Sequence, residues 1–522
     1  MNEFIQKHAA VVIGILSGFD RVLFRGTLRN LCFAEGMGLY LNVNKMLLKD
    51  AGKHFDAVSE RIKVASVRKA EAQKRPVIYL KSSDVSKEAE ALKIAARDGV
   101  REGLVCVLTC VEPCYSFQIE RNREAKRLIL KRALRKCLHH YHYWLHPQWG
   151  LMHARLQTWF PFGMQVCLNG REGLARSLDR AGMRYEKRDN CFTWLEDVAR
   201  AQALADEQLK TDWSSLLDGL ALEANPDLKG ALGKFSSRYY WSTHQSEWAT
   251  DVMFRSAADL GRLYPALVRQ GMLGFKSPDV LRFLGQAVRI DGGIPAREKR
   301  EISSSFLQRA EGVRIKHRAG LNSVKMYDKQ GSVLRTETTI NDAGVFKTFR
   351  EKEGGPPEDK KWRTMRQGVA DLHRRAEVSN ACNERYLTAL TAVENEQKLE
   401  DCLNELSRPT TETNGRRARA LNVFGEDGRV LDEVSRGEFA INGFRNGDLQ
   451  KGMFGKAAET KEERKKRSGK VTRLLRLLKA HHLIKKVQKT HRYHLTEKGR
   501  LAITALSVAR QSSIKKLSAL AA

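Results

Sequence analysis

The sequence predicts a multidomain α+β / α/β protein. It has mixed-sheet N-terminal and middle domains, a helical insert and a basic C-terminal module of helices and a hairpin. Three observations carry this reading. The chain has 522 residues, too many for one hydrophobic core. Its first quarter alternates β-type runs ("RPVIYLKSS", "EGLVCVLTCVEP") with a helix-type run, "SDVSKEAEALKIAARDG". Near residue 305 the pattern returns to period two in "GVRIKHRAGLNSVKMYDKQGSVLRTETTIN".

In chain order, "VVIGILSGFDRVLFRGTLRNL" reads as a strand, a turn at Ser17-Gly18, then a second strand or short helix. A helical pattern follows over 40–72. Ser86 begins the next helix as N-cap, with an acid-rich first turn, and Gly99 closes it. "CLHHYHYWLH" and "GLMHARLQTWFPF" read as hairpin strands, followed by "MQVCLNG", the helix "REGLARSLDRAG" and the strand "MRYEKRDNCFTWLED". Residues 197–290 read as mostly helical, and "REKEGGPPEDKK" as a Gly/Pro/charge linker. The expected units are an α/β domain with aromatic hairpins (1–200), a mainly helical region (201–300), a β-rich segment pairing with the core (301–355), a helical segment after the linker (356–412) and a C-terminal domain (420–512). One echo runs through the chain: Arg155-Leu156-Gln157-Thr158 aligns with Arg335-Thr336-Glu337-Thr338, which reads as two related hairpins or two unrelated ones of similar composition.

Net charge is +31, from 92 Lys plus Arg against 61 Asp plus Glu, and this excess favours a polyanionic partner, nucleic acid before membrane. The apolar run Ala9 to Leu16 is too short to span a bilayer, so a cytoplasmic location is expected, at the nucleoid if the partner is DNA. Nine cysteines in that setting read as reduced, buried thiols. Cys106, Cys110 and Cys114, spaced by four along a strand, would each lie about 13 Å from the next, too far for one ion, unless Pro113 turns the chain for the last pair.

The C-terminal stretch is the most informative. In "KVTRLLRLLKAHHLI", Val471, Leu474, Leu475 and Leu478 share one helical side, while Lys466, Lys470, Arg473 and Arg476 lie opposite. Ser468 and Gly469 place the start of the ordered helix there. Period-two residues Ile484, Val487, Tyr493 and Leu495 then make a hairpin around "QKTH". Residues 461–500 hold 15 Lys/Arg against 3 Asp/Glu, a local net of +12. The order of elements over about 424–510 resembles a winged helix-turn-helix domain. That resemblance implies duplex DNA as partner, with Lys470, Arg473 and Arg476 facing the groove, Lys485, Lys486, Lys489 and Arg492 on the wing, and Lys466 among the nucleic-acid-binding residues. A protein-contact role is the alternative.

Several acids lie near expected strand ends. Asp20, Glu112 and Glu337 suit a two-metal site, in which converging carboxylates hold Mg²⁺ for phosphoryl transfer, and they are the candidate catalytic and metal-binding residues. Asp189, Glu196, Asp197 and Asp328 belong to the same class of strand-end acids. A second metal candidate is His140 with His142, which alternation puts on one strand face. That triplet resembles the rolling-circle initiators and single-strand transposases (HUH-type tyrosine nucleases), whose nucleophile would correspond to Tyr239, Tyr240 or Tyr386. Phosphate-cradling glycine loops are absent.

Seven aromatics between Tyr141 and Phe162, with Arg155 and His153 interleaved, form either a core or a stacking platform for unpaired bases, as in a structured-RNA binder. "RYYWSTHQSEWATD" offers a second mixed patch. With "SGFDRVLFRGTLR", "DNCFTWLEDVARAQ" and "NSVKMYDKQGSVLRTETTIN", these stretches resemble a family of bacterial proteins. That resemblance implies a self-contained unit of the kind carried on mobile DNA, and it fixes no residue role. The expected function is nucleic-acid binding, foremost of duplex DNA. A Mg²⁺-dependent nuclease or strand-transfer enzyme and an RNA-binding protein are the alternatives.

Overall fold

The computed structural model describes residues 3–512 other than 125, 290–292, 297, 310–311, 353, 357, 392–398, 412–414, 437–438, 440–442, 456–457 and 488–489. After a short helix α1 (Glu3–Lys7), strand β1 (Val12–Thr27) runs unbroken through Ser17-Gly18, where a turn was expected. The glycines serve close approach instead. A Cβ at Gly14 would meet Val198 at 2.6 Å, because a helix is laid directly on this strand. Helices α2 (Ala34–Val43) and α3 (Ala51–Ala72), strand β2 (Val77–Tyr79) and helix α4 (Lys87–Arg97) follow. Ser86 caps α4 by accepting from the Ala89 N–H, as its sequence signals.

Two long strands, β3 (Gly103–Asn122) and β4 (Arg127–His146), lead to β5 (Gly150–Gln157) and β6 (Met164–Asn169). Pro113 makes no turn: β3 passes through it, paired with Lys136 on β4. On its other side β3 has a partner only where β2 meets Val107 to Thr109, so the missing N–H costs no ladder bond. Helix α5 (Gly170–Arg180), the hairpin β7 (Tyr185–Arg188) with β8 (Cys191–Leu195), and helices α6 (Val198–Glu207), α7 (Trp213–Ala224) and α8 (Leu228–Leu232) complete the first half.

The stretch expected to be mainly helical carries the long strand β9 (Tyr240–Phe254) before α9 (Ala257–Arg269) and α10 (Ser277–Phe283). A four-strand meander then follows: β10 (Ile302–Arg309), β11 (Gly312–Ala319), β12 (Asn322–Lys329) and β13 (Val333–Ile340). The stretch read as a linker is the loop of a hairpin, β14 (Lys347–Arg350) with β15 (Lys361–Thr364), after which comes helix α11 (Leu372–Leu390).

All three N-terminal regions therefore feed one sheet, in the order β10-β11-β12-β13-β9-β1-β6-β5-β4-β3-β2. Among the described residues, only the β2–β3 pair of this sheet is parallel. Apart from the extra edge strand β2, the order reads alike from both ends. In each half a first strand (β1 or β9) is followed by helices and a four-strand meander, whose last strand (β6 or β13) returns antiparallel to the first. The halves meet where β1 and β9 pair antiparallel, as a two-fold axis through the seam would require. The sequence keeps a trace of this: Asp20 with Phe24-Arg25 on β1 parallels Asp251 with Phe254-Arg255 on β9. The hairpin echo does not follow this correspondence, because the topology matches β12–β13 with β5–β6, not with β4–β5.

One sheet face is sealed by α2, α3 and α7 over the first half and by α9, α10 and α11 over the second, each over its own apolar cluster. On the other face α5 and α6 cover the β1 end, and α4 covers β3 and β4. The sheet between these covers stays partly open.

The C-terminal unit comprises α12 (Leu399–Leu406), a two-residue ladder β16 (Thr410–Thr411) with β17 (Arg417–Ala418), helices α13 (Gly428–Val434), α14 (Asn446–Phe454) and α15 (Lys461–Ala480), the hairpin β18 (Ile484–Lys486) with β19 (Tyr493–Leu495), and α16 (Glu497–Gln511). It has its own core around Leu431, Phe444, Leu449, Val471, Leu475 and Leu478. Phe444, just before α14, exchanges both backbone hydrogen bonds with Tyr493, each 2.9 Å, and so adds a one-residue bridge on the other edge of β19. Helix α15 begins at Lys461, seven residues before Ser468, because Thr460 caps it by accepting from the Glu463 N–H at 3.1 Å. Among the described residues, no helix is long and apolar enough to cross a membrane.

Candidate functional site

On the partly open face three rows of side chains cross β1, β9, β13, β12 and β11. The middle row is Gly18, Ala249, Glu337, Lys325 and Lys316. One flanking row is Leu16, Asp251, Arg335, Tyr327 and Arg314, and the other is Arg21, Glu247, Thr339, Ser323 and Arg318. Between Phe19 and Arg21 the register of β1 slips by one residue. This β-bulge sets Asp20 and Arg21 together opposite Glu247, so Asp20 joins the acids instead of alternating away from them.

Asp20, Glu247 and Glu337 thus each present a carboxylate oxygen within 4.8 Å of the other two. Two of these are the sequence candidates, and Glu247 completes the set. Around a single octahedral Mg²⁺ with bonds of about 2.1 Å, oxygens lie about 3–4.2 Å apart, and the 4.8 Å that bounds this cluster is slightly wider. Burial pushes the Asp20 carboxyl up, against the pull of Arg335, and its neighbours Glu337 and Asp251 add to the rise. Glu247 is raised by burial and then by Glu337. Burial also pushes Glu337 upward, but Lys325, Arg335 and the Tyr327 hydroxyl outweigh it and hold this carboxyl below its usual range. Lys325 Nζ lies 2.5 Å from Glu337 Oε1 and also faces Glu247. The cluster is rich in negative charge, and its nearest cation is a flexible ammonium.

Beneath the acids lies a fully buried ionic support. Asp251 is paired with Arg335 at 2.6 Å and with Arg171 at 3.0 Å, and all three are buried. Asn190, in the turn of the β7–β8 hairpin, donates from Nδ2 to both Asp20 oxygens at 2.7 and 2.9 Å. Its backbone carbonyl accepts from Arg335 at 2.7 Å. Asp20 is therefore fixed from two sides while its remaining surface faces the other acids.

Glu112 does not join this cluster. It lies on β3, separated from β1 by β4, β5 and β6, and is engaged by Lys87 at 3.1 Å, Arg155 at 3.0 Å and the Tyr141 hydroxyl at 2.7 Å. Arg155 is accordingly half-buried, also donating to Gln165 at 3.0 Å. His140 and His142 share a face as alternation requires. That face is the one under α3, where both imidazoles hydrogen-bond the Ser66 hydroxyl at 3.0 and 2.8 Å. Burial pushes them down to about 4 and about 3, so they are neutral core histidines. Of the candidate tyrosines, Tyr239 is buried and donates to the Phe162 carbonyl, and Tyr386 is buried against His317. Tyr240 is exposed, with the Arg29 guanidinium 3.2 Å over its ring. Asp189 pairs with Lys329 and Glu196 with Arg184. The cysteines of β3 are free and buried.

In the C-terminal unit, Lys466, Lys470, Arg473 and Arg476 are exposed on α15, while Val471, Leu475 and Leu478 are buried. Lys485 and Lys486 are exposed on β18, and Lys489 lies outside the described residues. Arg492 is turned toward the protein itself, its guanidinium 4.7 Å above the Phe349 ring of β14. Comparison with known proteins returns no matching family model, no matching curated protein and no matching solved structure.

Proposed function

We propose that the chain is a nucleic-acid-binding protein that engages duplex DNA through its C-terminal unit. The observation that carries this reading is the separation of faces on α15, with an apolar side in the unit's core and exposed cations, Lys466, Lys470, Arg473 and Arg476 among them, on the solvent side. The order α13, Phe444 bridge, α14, α15, β18, β19 supports the winged-helix reading. In such a unit the helix before the hairpin enters the major groove, and the cations order themselves along phosphates. Fluorescence anisotropy with a labelled duplex tests it. Full-length protein should bind with affinity that falls steeply with salt, and competition at about 0.15 M salt should favour duplex DNA over folded RNA. Affinity indifferent to salt, or unchanged when Lys470, Arg473 and Arg476 are replaced by Ala, would refute it.

A second reading, of metal-dependent phosphodiester chemistry, is favoured by the convergence of Asp20, Glu247 and Glu337. These three would hold a divalent cation such as Mg²⁺. Such a cation polarises a phosphoryl oxygen and lowers the pKa of bound water. The chain's own part is to fix Asp20 through Asn190 and Arg335, to keep Glu337 ionised through Lys325 and Tyr327, and to set Lys325 and Arg21 at the rim as counter-charges for a phosphodiester. Mn²⁺ binding followed by electron paramagnetic resonance, with Mg²⁺-dependent oligonucleotide cleavage alongside, tests this. Asp20→Asn and Glu247→Gln should weaken both. Equal behaviour of wild type and both variants would exclude the site.

A further inference from the structure

On the same open face, β11 carries Arg314, Lys316 and Arg318 at alternate positions, all on the side of the acids. Their neighbours do not neutralise them. Lys316 stands directly opposite Lys325, a like-charge pair that costs stability in an antiparallel ladder. Neither Arg314 nor Lys316 has an ion-pair partner among the described residues, and the Arg314 Nε is buried without an acceptor. Partial burial, then Lys325, Arg314 and Arg318, hold the Lys316 ammonium below its usual range, with Glu247 alone opposing. On the adjacent edge strand β10, Ser303 stands opposite Arg318 and Ser305 opposite Lys316, adding a hydroxyl beside two of the three cations, while Leu307 stands opposite Arg314.

The spacing is informative. Alternate residues of a strand lie about 6.8 Å apart on one face, a distance that matches successive phosphates along one nucleic-acid backbone. Lys325 and Glu337 occupy the next two strands of the same row, so Lys316 lies about 10 Å from Glu337, two inter-strand steps away, with Glu247 and Asp20 one and two strands further on. We infer that β11, with the β10 serines, is a track for the sugar–phosphate backbone of a single nucleic-acid strand, laid across the open face beside Asp20, Glu247 and Glu337. This rests on the phosphodiester reading of those acids and adds the substrate class and its direction of travel, parallel to β11. A folded anionic protein surface fits less well, because a regular repeat along one extended strand matches a linear polymer of charge.

The test uses the full chain and a 4-thiouridine-containing single-stranded oligonucleotide. Photo-cross-linking followed by peptide mapping should place a cross-link in the peptides spanning β10 to β12, apart from any in α15. Arg314→Gln/Lys316→Gln/Arg318→Gln should abolish that cross-link and lower the salt slope by about 2, at about 0.7 per phosphate contact. Lys316→Gln alone serves if the triple variant does not fold. Cross-links confined to the C-terminal unit, or an unchanged salt slope in the variants, would overturn the inference. Mn²⁺ binding separates the two readings. If the wild type binds no Mn²⁺ but the β11 cross-link persists, the phosphodiester reading fails and the track stands.

Discussion

Arg335 donates through Nε and Nη2 to the two carboxylate oxygens of Asp251, at 2.6 and 2.9 Å, in a setting from which both side chains exclude solvent. Through Nη1 the same guanidinium reaches Asp20 at 3.3 Å. One arginine thus joins the two aspartates that correspond across the seam of the sheet. Removing one member strands the others as unpaired buried charge. Asp251→Ala should cost about 3–5 kcal/mol in urea denaturation. A loss within about 1 kcal/mol would show that the cluster is hydrated or unpaired.

Glu247 and Glu112 should part company. Glu247→Gln is expected to weaken Mn²⁺ binding at least about tenfold, roughly 1.4 kcal/mol, whereas Glu112→Gln should leave it unchanged. A competition titration reads both, and equal effects would contradict the arrangement of strands.

Acid should destabilise the fold from about pH 6.5 downward through its buried histidines. Burial first of all lowers His139 and His140 to about 4, His142 to about 3 and His317 to about 4, from an ordinary 6.5. These groups stay neutral when folded but take up protons when unfolded. Stability is therefore complete above about pH 6.5 and falls as pH drops toward 4. Each group contributes up to about 1.4 kcal/mol per pH unit within that window. Urea midpoints at pH 7 and pH 5 measure it, and identical midpoints would be inconsistent with buried neutral imidazoles.

At the C-terminus, Arg473→Ala should weaken duplex binding by about 1–3 kcal/mol and relax sequence preference. Arg492→Ala should act differently. Its guanidinium covers Phe349, so the change should loosen the hairpin from the body by about 0.5–1 kcal/mol and leave the salt slope nearly unchanged. Anisotropy across a salt series distinguishes these outcomes.

Gly443 sits at φ +61 with the Tyr493 carbonyl 2.2 Å from where a Cβ would be. Gly443→Ala should break the Phe444–Tyr493 exchange, destabilise the C-terminal unit by more than about 1 kcal/mol and reduce DNA binding in proportion. Hydrogen exchange at the Tyr493 amide is the direct readout. Unchanged protection would show that the loop accommodates the methyl.

The parts of this protein legible in its sequence are those where one physical signal dominates. The α4 start was readable from Ser86, and the faces of α15 from helical periodicity. Asp20 and Glu337 were readable as acids on strands. Glu247 was not, because β9 hides its alternation. Its inner face carries Thr243, Ser246 and Thr250 as well as Trp248, while its outer face carries Gln245, Glu247 and Asp251. Polar residues on both sides erase the two-residue period. The bulge at Asp20 is equally invisible, since a one-residue slip leaves no compositional mark. Glu112 resembles the true members in its local sequence and differs only in strand order, which long-range pairing decides.

The seam between β1 and β9 has a consequence for how the chain can be divided. Each half ends at a naked strand of 16 or 15 residues whose natural partner is the other half. A cut between α8 and β9 would leave two fragments with long unsatisfied backbone edges, prone to stick to themselves. Covalent continuity keeps those edges together during synthesis, and the acids drawn from both fragments exist as a group only after the halves have closed.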